Sequence, residues 1–161
     1  MKTLFFTLSM MLVLFTSCAQ KQIAIKTERA FFTVSSPGNP MVSETGEVIP
    51  KFEVERYLFV ELDASDILKI KSVTANNQKF TTRIEKIEGA SIIVGSSFLN
   101  NSQKKISAQP GKTLWKVWLL SVYEKPITVP LKNIIVTGMA GNKPFVFKYE
   151  KETELQGPMR Y

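Results

Sequence analysis

The chain holds no histidine. The commonest general base at neutral pH and the commonest transition-metal ligand are therefore both missing. Among nucleophiles, a Ser–Lys pair is the arrangement left open. No segment carries a strained Gly-x-Ser-x-Gly elbow, and Gly95-Ser96-Ser97 reads as a strand end running into a loop. Carboxylates are the second option. Glu53, Glu55 and Glu61 share one strand face, and Glu85 and Glu88 close another strand. Glycoside hydrolysis needs two carboxyl groups about 5–10 Å apart in a cleft, with environments that separate their pKa values. A solvated face is the plainer reading of this row. Asp63-Ala64-Ser65-Asp66 offers two carboxylates, short of the oxygen-rich loop that calcium needs. Gly138-Met139-Ala140-Gly141 lacks the Lys-Ser or Lys-Thr of a phosphate loop and reads as a hairpin turn. These residues predict a protein that is not an enzyme and that uses no cofactor and no metal.

Cys18 is the single cysteine. Met1-Lys2 is positive, residues 3–16 are apolar and uncharged, and Ser17, Cys18 and Ala19 are small. That order is the plan of a secretory signal peptide. The apolar run is shorter than the roughly 20 residues a membrane-crossing helix needs. Its ending, Leu14-Phe15-Thr16-Ser17-Cys18, resembles the lipobox of bacterial lipoproteins, with Phe15 where that family prefers Leu. The resemblance covers residues 1–18. It implies cleavage before Cys18 and a diacylglyceryl group on its sulfur. Ala19 in place of Asp implies the outer membrane. Ala19-Gln20-Lys21-Gln22 lacks the acidic residues associated with surface display, which implies the periplasmic face. The expected location is thus the cell envelope, through a lipid anchor in the membrane.

The formal net charge is +7, spread along the chain, and Lys104-Lys105 is the one adjacent lysine pair. Nucleic-acid proteins concentrate such charge on one face or helix, so no nucleic-acid partner is expected. Solubility accounts for the excess, and attraction to anionic headgroups or cell-wall polymer is its more specific use. A single cysteine permits no internal disulfide, so packing must hold the fold even in an oxidising compartment.

The elements that must position any site are strands. Residues 29–35 read as a first strand, and residues 36–51, rich in Pro and Gly, as a loop. Glu53–Leu62 alternates, with Val54, Leu58, Val60 and Leu62 on one face and Arg56 as the exception. Ile67–Ala75, Lys79–Glu88 and Ser91–Val94 follow as strands, with Asn76-Asn77 as a turn. Residues 96–112 read as a second long loop. Thr113–Tyr123 is apolar on both faces and reads as a central strand covered on both sides. Ile127-Thr128-Val129, between prolines, reads as an edge piece. Asn133–Thr137 and Pro144–Tyr149 form a hairpin. The predicted fold is all-β: one β-sandwich of immunoglobulin-like or transthyretin-like architecture, with a small barrel as competitor. The predicted boundaries are a signal peptide at 1–17, a tether at 18–28, the sandwich at 29–150 and a polar tail at 151–161.

Trp115 and Trp118 cannot share a strand face, because their spacing is odd. One is expected in the core. Tyr57, Phe59 and Trp118 form a candidate binding surface if their face is open, and a buried layer if a loop covers it. The first functional expectation is a non-enzymatic envelope lipoprotein that binds another envelope protein as an assembly module. The second is a periplasmic ligand-binding lipoprotein for glycan, peptidoglycan or lipid. A flat apolar patch favours the first. A concave pocket lined by Trp or Tyr with converging Lys or Arg favours the second.

Overall fold

The computed structural model describes residues 29–35, 41–42, 44–46, 48–49, 53–121 and 127–156. The expected signal segment, Cys18 and the expected tether lie outside the described residues. In chain order the strands are β1 (Ala30–Ser35), β2 (Met41–Val42), β3 (Val48–Ile49), β4 (Glu53–Asp63), β5 (Leu68–Ala75) and β6 (Gln78–Lys86). Then come β7 (Ser91–Ser96), β8 (Gln103–Ser107), β9 (Lys112–Leu120), β10 (Lys132–Ala140), β11 (Lys143–Lys151) and β12 (Thr153–Leu155). No helix occurs among the described residues.

Eight strands make one sheet in the order β11-β10-β5-β6-β9-β4-β1-β12. The sheet folds over on itself along β6. Gln78–Phe80 pair with β5, whereas Thr81–Lys86 pair with β9. The two halves then enclose a core. Leu58, Val60, Leu62, Val117 and Leu119 line one half, and Val73, Ile134, Val136, Phe147 and Tyr149 the other. The fold is therefore all-β and sandwich-like, built from a single curled sheet. Period-two alternation is the reason, since each strand puts alternate side chains on opposite faces.

The β9 half is apolar on its outer face as well. Phe31, Tyr57, Phe59 and Leu114 form a second core there with Val94 and Ile106 of the β7–β8 hairpin. β9 is thus central; its inner face packs into the main core, and its outer face is covered by the hairpin at Leu114 but not at Leu120, which is 47% exposed, while residues 122–123 lie outside the described residues. The hairpin is tied on by Gln156, whose N–H donates to the Ser96 carbonyl at 2.9 Å.

Turn chemistry agrees with the hairpins. Asn76 and Asn77 both take positive φ, 48° and 62°. That pair of angles belongs to the type I′ turn, whose twist matches its flanking strands. The last hairpin turns at Gly141 and Asn142 instead of across residues 138–142, because β10 continues to Ala140. Gly138 sits inside β10, at a register shift against β5.

Four segments differ from their sequence reading. Residues 36–51 contain the short strands β2 and β3, which pair antiparallel. Residues 96–112 contain β8, whose Gln and Lys residues mask a strand that buries only Ile106. Residues 127–129 form no strand; the carbonyls of Ile127 and Val129 accept hydrogen bonds from Arg56 instead. The polar tail begins later than residue 151. Lys151 ends β11, and β12 pairs in parallel with β1, with Leu155 buried opposite Thr33.

Arg56, the break in the alternation of β4, lies on the inner face with its guanidinium over the Phe32 ring. It pairs with Glu152, and the two are 4% and 2% exposed. Glu152 also accepts the Leu131 N–H at 2.8 Å. One buried ion pair therefore joins β4, segment 127–131 and the β11–β12 junction.

Candidate functional site

The outer face of the β9 half is apolar at one end and polar with aromatics at the other. Strand register decides what meets there. Trp118 lies opposite Tyr57 on β4 and opposite Arg83 on β6, and Lys116 lies opposite Glu85. Cross-strand neighbours on one face are close enough to interact. The Tyr57 and Trp118 rings meet edge to face, with centroids 5.5 Å apart. The Lys116 ammonium stands 3.7 Å from the Trp118 centroid and 4.2 Å from that of Tyr57. The Arg83 guanidinium lies 4.9 Å from the Trp118 centroid. The Trp118 indole N–H points to the Glu85 carboxylate at 3.5 Å.

Beside this cluster a groove of about 620 Å³ opens between the sheet and the β7–β8 hairpin. Tyr57, Lys116 and Glu55 come from the sheet side, and Asn101, Gln103 and Gln156 from the rim. The Tyr57 hydroxyl donates to the Val94 carbonyl at 2.6 Å, which fixes the hairpin's height over the sheet. Burial pushes the Tyr57 hydroxyl up to about 12. Burial also lowers the Lys116 ammonium from its ordinary range, while Glu85 and Glu55 draw it back up. Desolvation against two rings explains that direction, since it disfavours the charged form.

The candidate surface of Tyr57, Phe59 and Trp118 is thus not an open patch. Phe59 is fully buried, in edge contact with Phe31 and Tyr57. It cannot meet a partner. Tyr57 is 4% exposed and presents only an edge to the groove. Trp118 is half-buried under Lys116 and Arg83. Trp115 is half-buried on the opposite face, against the main core. Sequence reading missed Lys116, Arg83 and the rim amides, because β8, the second strand of the hairpin that forms the groove's far wall, falls in a stretch that reads as a loop. The signal was Trp118 itself, with Lys116 two residues before it on the same face.

The arrangement can hold a polar ligand. Ser96 and Lys116 both line the groove, but no hydrogen bond joins them, and the ammonium is engaged by rings. Glu61 is taken by Arg29 at 2.5 Å and by the Gln109 N–H at 3.0 Å. Among the described residues, no three acidic, His or Cys side chains gather in a metal-holding group. No helix among them is long and apolar enough to cross a membrane. The chain matches no family model, no curated protein and no solved structure.

Proposed function

We propose that this chain is a lipid-anchored, non-enzymatic binding module of the cell envelope, and that its groove takes a glycan. The carrying observation is the concave site of about 620 Å³ with a tyrosine, a lysine, a carboxylate and several amides around it. Ligand sites commonly have volumes of about 300–1,000 Å³ and a few converging polar groups. Charges of both signs face the groove, so a dense anion or cation meets repulsion from one of them. Sugar hydroxyls both donate and accept, and so suit ammonium, carboxylate and amide together. Sugar C–H faces suit the exposed part of an aromatic ring. An envelope protein partner becomes the second reading. Of the exposed large apolar residues, Ile67, Leu120, Val129 and Ile135 lie on separate segments, and Ile93, Phe98 and Leu99 share the β7–β8 hairpin.

Titration with soluble N-acetylglucosamine oligomers, followed by amide NMR shifts, tests the groove. Shifts are expected at Lys116, Gln103 and Asn101. Lys116→Ala, at a residue that lines the groove, should weaken binding about tenfold, equal to about 1.4 kcal/mol. An unperturbed groove at concentrations of about 1 mM, the weak end of specific binding, would count against a glycan ligand.

The anchor is tested separately. Metabolic labelling with a fatty acid should mark the wild-type chain and leave Cys18→Ser unmarked. Equal label in both removes the lipoprotein assignment. Two or more acyl chains give durable attachment, whereas one gives only reversible binding.

A further inference from the structure

The β7–β8 hairpin ends in a six-residue tip, Ser97–Ser102, that carries the most exposed apolar residue described. Leu99 is 97% exposed and its neighbour Phe98 is 58% exposed. Disorder does not explain this exposure, because the tip is built. The Ser97 N–H donates to the Ser102 carbonyl at 2.9 Å, and the Asn101 N–H to the Ser97 carbonyl at 3.0 Å. The Asn100 carboxamide oxygen accepts the Ser102 N–H and hydroxyl at 3.1 and 2.6 Å. Asn101 takes φ 52°, which turns the chain back into β8. The tip therefore satisfies much of its own backbone while holding two apolar side chains in solvent.

The hairpin itself, residues 91–107, carries charge of one sign, Lys104 and Lys105, although Glu55 of β4 lines the groove beneath it. No Asp or Glu occurs between Glu88 and Glu124, and this stretch holds Lys104, Lys105, Lys112 and Lys116. Lys105 lies opposite Ile93, itself 55% exposed, on the hairpin next to the tip. Apolar side chains at the end of a projecting turn, backed by lysines on a hairpin that itself holds no carboxylate, match an anionic bilayer surface. The rings and methyls enter the headgroup boundary, and the lysines meet the phosphates. A protein partner is the poorer match. A stable interface needs about 800 Å² from each side, more than a six-residue tip presents, whereas interfacial insertion works with a few side chains. We infer that the β7–β8 tip, through Phe98 and Leu99 with Lys105 behind them, dips into the interface of an anionic phospholipid bilayer. This contact does not rest on the lipid at Cys18 or on the groove's ligand.

The test places a fluorophore that brightens in apolar surroundings on Leu99→Cys, in full-length protein also carrying Cys18→Ser. Vesicles of phosphatidylethanolamine with phosphatidylglycerol are added. A second sample carries the label on Ile67→Cys, which is 61% exposed on the β4–β5 turn. Both positions are exposed, so labelling leaves the core intact. Whatever holds the chain to the vesicle, the label at 99 should brighten severalfold, shift blue and be quenched by a lipid-borne quencher. The label at 67 should stay as in buffer. Lys105→Glu should reduce the response at 99. A label at 99 that keeps its buffer emission on sedimented vesicles overturns the inference and leaves the tip to a protein partner. An equal response on purely zwitterionic vesicles overturns the anionic part.

Discussion

Glu152→Ala is expected to lower folding stability by about 3–5 kcal/mol at neutral pH, the cost typical of leaving one member of a buried pair alone. Arg56 would keep its charge under the Phe32 ring with only the Ile127 and Val129 carbonyls to meet it. The Leu131 N–H would lose its acceptor. The double variant Arg56→Met with Glu152→Leu should recover most of the loss, because it removes both desolvated charges. Urea unfolding of the single and double variants decides this, and a double variant that loses as much as Glu152→Ala would show that an unpaired buried charge is not the source of the loss.

The same pair sets a pH dependence. Burial pushes the Glu152 carboxyl from 4.5 up to about 7, against the downward pull of Arg56 and the Leu131 N–H. Burial likewise lowers the Arg56 guanidinium. The fold then binds a proton at Glu152 more readily than the unfolded chain does. Stability falls wherever the folded state holds more protons and pH rises. The wild-type protein should therefore lose stability as pH climbs from 4.5 toward about 7 and level off above. Glu152→Gln, which cannot titrate, should flatten that slope. A wild-type slope of the opposite sign in this window would mean that pairing outweighs burial.

Gly138→Ala is the second large effect, expected at about 3 kcal/mol, the upper part of the usual range for overpacking. A Cβ at Gly138 would stand 2.3 Å from the Lys69 carbonyl oxygen and 2.7 Å from the Phe145 ring. The first of these is backbone on β5 and cannot rotate away. Relief requires β5 and β10 to move apart at the register shift between Thr137 and Gly138. Gly89→Ala is the useful contrast. A Cβ there meets nothing within 4 Å, although its φ of 96° disfavours Ala. Thermal unfolding of both variants separates crowding from backbone angle, since only the Gly138 site combines no angular strain with a collision. Equal losses at the two sites would deny the collision.

Much of this fold was legible because alternation marks a strand with one covered face and an unbroken apolar run marks a strand apolar on both. β4 and β9 announce themselves through Leu58, Val60, Trp115, Val117 and Leu119. Asn76-Asn77 announces the turn between β5 and β6. β8 and β12 were not legible, because each is short and buries a single large apolar residue, Ile106 or Leu155. Their pairing is decided by partners far along the chain, and no local pattern carries that information. The site followed the same rule. Trp118 stood out by type, but the groove beside it exists only once β7 and β8 pair and Tyr57 reaches the Val94 carbonyl. Arg56 was visible as an exception to its strand, while its partner Glu152 was lost in a charged segment.

The parallel pairing of β12 with β1 has a consequence for biosynthesis. The outer edge of the first strand keeps its amides and carbonyls unsatisfied until residues 153–155 have been made. An open strand edge invites pairing with a neighbouring polypeptide. A nascent chain of this protein is therefore at its most adhesive once β1–β11 have been made, when nearly all of the sandwich exists and the three residues that close its rim do not.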